Sequence, residues 1–134
     1  GIEVVSLDAG EAVMRLPYAD KLVGNPETGV LHGGAISALM DACCGAAVFM
    51  GLSEPTPIAT LDLRIDYLSL ATPPLAVICK ATCFKVTRSV AFVRCIAYHP
   101  GADGDPIASG AGAFMLATRS RGDGWSAARE ASDP

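Results

Sequence analysis

The stretch Asn25-Pro-Glu-Thr-Gly-Val-Leu-His32-Gly33-Gly34-Ala35-Ile-Ser37-Ala-Leu-Met-Asp41 decides the reading of this chain. It is a loop running into the front of an apolar segment that carries one carboxylate, Asp41. The segment continues to Met50 and Gly51 follows, so the pattern predicts a helix from Gly33 or Gly34 to Met50. Two glycines at a helix start leave its unsatisfied N–H groups open to a ligand, and those groups carry partial positive charge. Ser37 and Asp41 lie four residues apart and share a face. Donors at a helix end, with a carboxylate nearby, can polarise a carbonyl and attack it in a dry site. A helix with one solvent-facing stripe would show the same two side chains, so the helix alone leaves both readings open.

Spacing limits any shared chemistry. Asp41 stands seven or eight residues beyond the glycine pair, about 10–12 Å along the axis at the helical rise. It cannot reach a carbonyl held at its own helix's start. If both groups act on one substrate, Asp41 has to come from a second copy of the chain.

Outward from this segment the pattern is that of strands. Residues 2–7 and 11–16 flank the turn signal Asp8-Ala9-Gly10. Residues 18–31 carry Pro, Gly and Asn without periodicity and read as a long loop. After Pro57 the period becomes two: Leu61, Leu63, Ile65 and Tyr67 alternate with Asp62, Arg64 and Asp66. Within that strand Arg64 reads as a structural ion pair with its acidic neighbours. Residues 75–87 and 90–99 follow as strands hinged near Arg88-Ser89, with His99 placed at the surface. A last strand, 107–118, is rich in Gly, Ala and Ser, as expected where another backbone packs closely. One long apolar helix with antiparallel strands after it implies an α+β fold with the sheet wrapped around the helix. The predicted organisation is a single domain over 1–118 and a polar, flexible tail over 119–134.

Composition narrows the function. The chain has 134 residues, of which 51% are hydrophobic and 18% charged, which excludes disorder and points to self-association. A net charge of −4 without a basic run excludes nucleic acid as the expected partner. The apolar run 35–52 approaches the length of a membrane span, but Asp41 and two glycines interrupt it, so a buried helix is expected. Five cysteines, with no CxxC pair and only two histidines in the chain, give no zinc spacing; they read as buried reduced thiols of a cytoplasmic protein. The Cys43-Cys44 pair has no histidine within helical reach and is rejected as a nucleophile.

The run from Asn25 through His32-Gly33-Gly34 to Asp41, followed by Thr60-Leu-Asp-Leu-Arg-Ile-Asp-Tyr67, resembles the hotdog-fold acyl-CoA thioesterases, and within them the PaaI-type branch. The resemblance implies an antiparallel sheet of five to six strands around one central helix. It also implies dimers joined edge to edge and tetramers as dimers of dimers. Carried over by position, the Gly34 N–H, with Gly33, would polarise a thioester carbonyl. Asp41 of the other subunit would be the general base or nucleophile. Asn25 would orient water or hold the thioester, His32 would shape the loop or bind near the carbonyl, and Thr60 would help position water. Arg88 and Ser89 match the place where the family contacts CoA phosphates, a task that suits the arginine fork.

The activity so implied is hydrolysis of an acyl-CoA, with no metal or redox cofactor. A hydratase or dehydratase on the same fold is the less favoured enzymatic alternative, and a non-catalytic acyl-CoA binder is the alternative from another class. Met40, Met50, Leu52 and Phe84 are the candidate lining of an acyl pocket.

Overall fold

A computed structural model describes residues 1–117. The strands are β1 (Glu3–Asp8), β2 (Glu11–Leu16), β3 (Val23–Asn25), β4 (Val30–Leu31), β5 (Ile58–Tyr67), β6 (Val77–Val86), β7 (Val90–Tyr98) and β8 (Ala108–Leu116). The one α-helix among the described residues, α1 (Gly33–Met50), lies between β4 and β5. Six strands form one antiparallel sheet in the order β1-β2-β6-β7-β8-β5, and β3 and β4 pair separately. The predicted tail over 119–134 lies outside the described residues.

The sheet bends round α1 because alternate positions on its concave face are apolar. Ala12, Met14 and Leu16 of β2, Val77, Cys79 and Ala81 of β6, and Ala91, Val93, Cys95 and Ala97 of β7 are buried against the helix. From α1 itself Ile36, Leu39, Met40, Cys43, Cys44, Ala47 and Val48 enter this core. By length and composition alone α1 could cross a membrane, with a mean hydropathy of 1.5. Here it is the helix the sheet wraps around. Its opposite side, with Gly34, Ala38, Asp41 and Phe49, is exposed, so among the described residues the sheet covers one side of a helix that is apolar almost all round.

Two departures from the sequence reading, in the 18–31 loop and at His99, have physical causes. The segment read as a loop over 18–31 holds a 3-10 turn at Asp20–Leu22 and the β3–β4 hairpin, both too short to show a period. Gly51 ends α1 as expected, in a right-handed conformation, its N–H bonding the Ala47 and Val48 carbonyls at 3.1 and 2.9 Å. His99 is not a surface residue: it is 9% exposed. Its Nε2 accepts the Thr72 N–H at 2.8 Å, which leaves Nδ1–H to donate to the Ala76 carbonyl, also at 2.8 Å. This ring stitches the β5–β6 connection to the end of β7.

All five cysteines are free, and only Cys83 is partly exposed. Hydrogen bonding to Cys95, then burial, pushes the Cys44 thiol up; bonding to Cys43 and Cys95, then burial, does the same for Cys79. Both therefore stay protonated and inert, as buried thiols do. Among the described residues no cluster of His, Cys, Asp or Glu could hold a metal ion.

Candidate active site

The start of α1 is open. His32 occupies the position before the helix in a non-helical conformation (φ −58°, ψ 136°) and makes no side-chain bond to it. The Ala35 N–H bonds the His32 carbonyl at 3.0 Å. The Gly33 and Gly34 N–H groups find no acceptor outside the helix among the described residues, and a first turn offers none within it. A side chain built at Gly34 would meet nothing within 4 Å, so this peptide faces free space. Beside it lies a hollow of about 370 Å³ with mostly apolar walls, among them Leu31, Gly33, Ile36, Tyr67 and Leu70.

Tyr67, the last residue of β5, was not singled out in the sequence as a site residue. Its hydroxyl donates to the Gly33 carbonyl at 2.7 Å. The Ser37 hydroxyl lies 3.1 Å from the same oxygen, and the two hydroxyls also meet each other. Being the end of an alternating strand that carries a hydroxyl was the only signal for Tyr67, and alternation by itself names no partner.

Asp41 is exposed in the single chain, and its Oδ1 accepts a hydrogen bond from Thr60 Oγ1 at 3.1 Å. The expected meeting of Ser37 and Asp41 on one face is met, and that face looks at β5. Thr60 reaches it through a β-bulge: Thr60 and Asp62 oppose the consecutive residues Phe114 and Ala113, with Leu61 extra. Asp62 seals the bulge by accepting the Ala113 N–H at 3.1 Å. Arg64 therefore pairs with Asp66 alone, at 3.4 Å, and not with both acids.

The remaining predicted residues lie in two places. Asn25 accepts the Glu27 N–H on its side-chain oxygen at 3.0 Å, and its carbonyl accepts Gly29 N–H at 2.8 Å, so its carboxamide is engaged in its own turn. The His32 ring rests on Gly24, where a Cβ would come within 3.1 Å of Nδ1; Gly24 is the residue that makes room for it. Arg88 and Ser89 are exposed in the β6–β7 turn, which Thr87 closes by bonding Val90. The Ser89 carbonyl takes the Leu116 N–H at 2.8 Å, and Leu116 pairs with Ile58. The turn thus belongs to the Thr60 end of β5, the end beside Asp41.

The four residues proposed for an acyl pocket do not line the hollow at the helix start. Met40 is fully buried in the core. Met50 and Leu52 line a separate depression at the far end of α1. Phe84 is exposed under the Arg94 guanidinium, 4.0 Å from its ring centre. Helix phase accounts for the first, and a bulge at Cys83–Lys85 for the last.

Comparison with known proteins agrees with this geometry. The family model of the thioesterase superfamily matches residues 28–103, which span the helix, β5, β6 and β7. A protein of Halobacterium salinarum, provisionally named an esterase, is 33% identical over 121 residues, covering 87% of this chain and 80% of its own. Among solved structures, a Pseudomonas aeruginosa protein is 45% identical with a TM-score of 0.77, covering 86% and 84% of the two chains. The phenylacetic acid degradation protein PaaI of Thermus thermophilus shares the fold at 23% identity and a TM-score of 0.74, over 86% and 92%. A Streptococcus mutans protein, solved with acetyl-CoA bound, shares it at 19% identity and 0.72, over 87% and 88%. On the helix, the sheet wrapped around it and these matches together, the chain belongs to the thioesterase superfamily and has its hotdog fold.

Proposed function

We propose that this protein hydrolyses acyl-CoA thioesters in sites shared between two subunits. The observation that carries this reading is the placement of two groups at opposite ends of one open edge strand. The helix start sits against Tyr67, at the end of β5, while Asp41 is bonded to Thr60 near its beginning. Among the described residues β5 has a neighbour on one side only, and Leu61 and Tyr67 on it are half exposed. A ten-residue open edge of this kind needs covering. Antiparallel pairing of β5 with its copy across a two-fold axis lays the Tyr67 end of one strand on the Thr60 end of the other. The Gly34 N–H of one subunit then faces Asp41 of the second, the arrangement that a single chain's helix spacing forbids.

In that site the Gly34 N–H polarises the thioester carbonyl. Asp41 takes a proton from water as its oxygen adds to the carbonyl carbon. The C–S bond breaks, and CoA leaves as the thiol once it regains a proton. Thr60 orients the carboxylate, and Arg88 and Ser89, at the same end of β5, receive the CoA phosphates. Asn25 and His32 shape the loop that leads into the helix. The apolar hollow beside Gly33 takes the acyl group, and the acetyl-CoA bound to the Streptococcus mutans relative supports a CoA ester as substrate. Exposed Phe84, Phe92 and Met115 on the convex face of the sheet support a dimer of dimers. The five free thiols fit a reducing compartment, the cytoplasm.

A panel of acyl-CoA esters that includes acetyl-CoA and phenylacetyl-CoA tests the reading, with products followed by mass spectrometry. Release of free acid and CoA supports it. Tight binding of intact esters without turnover would make the protein a binding module instead.

A further inference from the structure

The peptide group that carries the Gly34 N–H also carries the Gly33 carbonyl, and resonance couples the two ends. That carbonyl is the acceptor of Tyr67 OH at 2.7 Å and lies 3.1 Å from Ser37 Oγ. Both hydroxyls are within donating distance of this carbonyl, and they also meet each other, so the three groups form one small hydrogen-bonded cluster. Donation into an amide oxygen draws charge towards it and leaves the amide N–H a stronger donor, and chained hydrogen bonds reinforce one another. The ring lies beside Gly33: a Cβ there would come 3.7 Å from Tyr67 Cζ and from its oxygen. Tyr67 comes from β5 and Gly33 from α1, so the contact ties the orientation of the peptide plane to the edge strand.

We propose that Tyr67, backed by Ser37, is a positioning residue for the Gly34 N–H. By hydrogen bonding to the Gly33 carbonyl, its hydroxyl sets the aim and strength of the donor that polarises the thioester. The inference rests on the reading of Gly34 as that donor. It also places a catalytic requirement on the strand through which the two subunits pair.

Tyr67→Phe keeps the ring against Gly33 and removes only the hydroxyl. Loss of a direct donor costs 10²–10³ in rate, so loss of a group acting through the donor should lower kcat about tenfold, with KM held within about twofold. Ser37→Ala should act in the same direction with a smaller effect. An infrared measurement separates this inference from the reading beneath it. The ester of the panel turned over fastest, labelled with ¹³C at the thioester carbonyl, is bound to the slow Asp41→Asn protein. A carbonyl stretch lowered from its solution value, and partly restored by adding Tyr67→Phe, is the expected result. No lowering in Asp41→Asn, or no turnover of any ester by the wild type, defeats the Gly34 reading and this inference with it. A lowered stretch and a kcat that both ignore Tyr67→Phe overturn the inference alone. So does a rise in KM at unchanged kcat, which would put the hydroxyl on the substrate itself.

Discussion

Thr60 Oγ1 donates to Asp41 Oδ1 at 3.1 Å, so the edge strand orients the one carboxylate that α1 carries. Removing the acid and removing its orienting hydroxyl should differ in size. Asp41→Asn is expected to lower kcat by 10² or more, the usual scale of acid–base effects. Thr60→Val keeps the shape and loses one hydrogen bond, so a loss of about five- to tenfold is expected from a bond worth about 1–1.5 kcal/mol. Steady-state hydrolysis of the best ester, read by mass spectrometry, checks both. Equal losses would mean that Thr60 itself handles the water.

The proposal that the site is shared between two subunits makes a prediction about mixtures. Asp41→Asn and a Gly34→Leu variant, whose added side chain enters the free space beside the helix start, are each expected to be inactive alone. In a mixed dimer one site carries both defects and the other neither. Random reassortment yields mixed dimers in about half of the population, so about a quarter of wild-type activity should return. Activity that stays at the level of the separate variants would place both groups in one chain's site.

The role of Asp41 as base or as nucleophile is separable by isotope. With the carboxylate as base, a single turnover in ¹⁸O-labelled water puts the label in the released acid and none in Asp41. An acyl anhydride on Asp41, opened by water at the enzyme's carboxyl carbon, would leave the label in the Asp41 side chain. The expected result is an unlabelled Asp41 peptide by mass spectrometry.

The helix, its start at the glycine pair and the run of strands were legible because each rests on periodicity or on a residue with one conformational use. Gly33–Met50 has the expected bounds, and the small residues of β8 do meet another backbone: a Cβ on Gly110 would lie 3.2 Å from the Arg64 carbonyl. Thr60 shows where periodicity stops helping. Strict alternation puts it on the face of Asp62, Arg64 and Asp66, away from the helix; the extra residue at Leu61 reverses the phase and turns it to Asp41. His99 was misplaced because proximity to Pro100 marks a loop but says nothing of Thr72 and Ala76, which reach it from distant sequence. Tyr67 and Gly24 were missed for the same reason: each matters through one long-range contact that leaves no pattern along the chain.

Gly112 is where that bulge can be tested. It pairs with Leu63, and a Cβ there would lie 2.7 Å from the Asp62 carbonyl, closer than packed atoms allow. Backbone, not a mobile side chain, would have to move, and the backbone in question is the bulge that aims Thr60. Gly112→Ala should therefore cost about 2 kcal/mol of stability, the scale of overpacking a filled site. It should also lower kcat by as much as Thr60→Val, because β5 can relax only by shifting the residue that holds Asp41. Gly104→Ala, where a Cβ meets nothing within 4 Å, is the control and should leave stability within about 0.5 kcal/mol and activity unchanged. Urea denaturation and hydrolysis rates measured on the same preparations decide the matter. A stable Gly112→Ala protein with full activity would show that the bulge bends freely and that Thr60 is aimed by something other than its register.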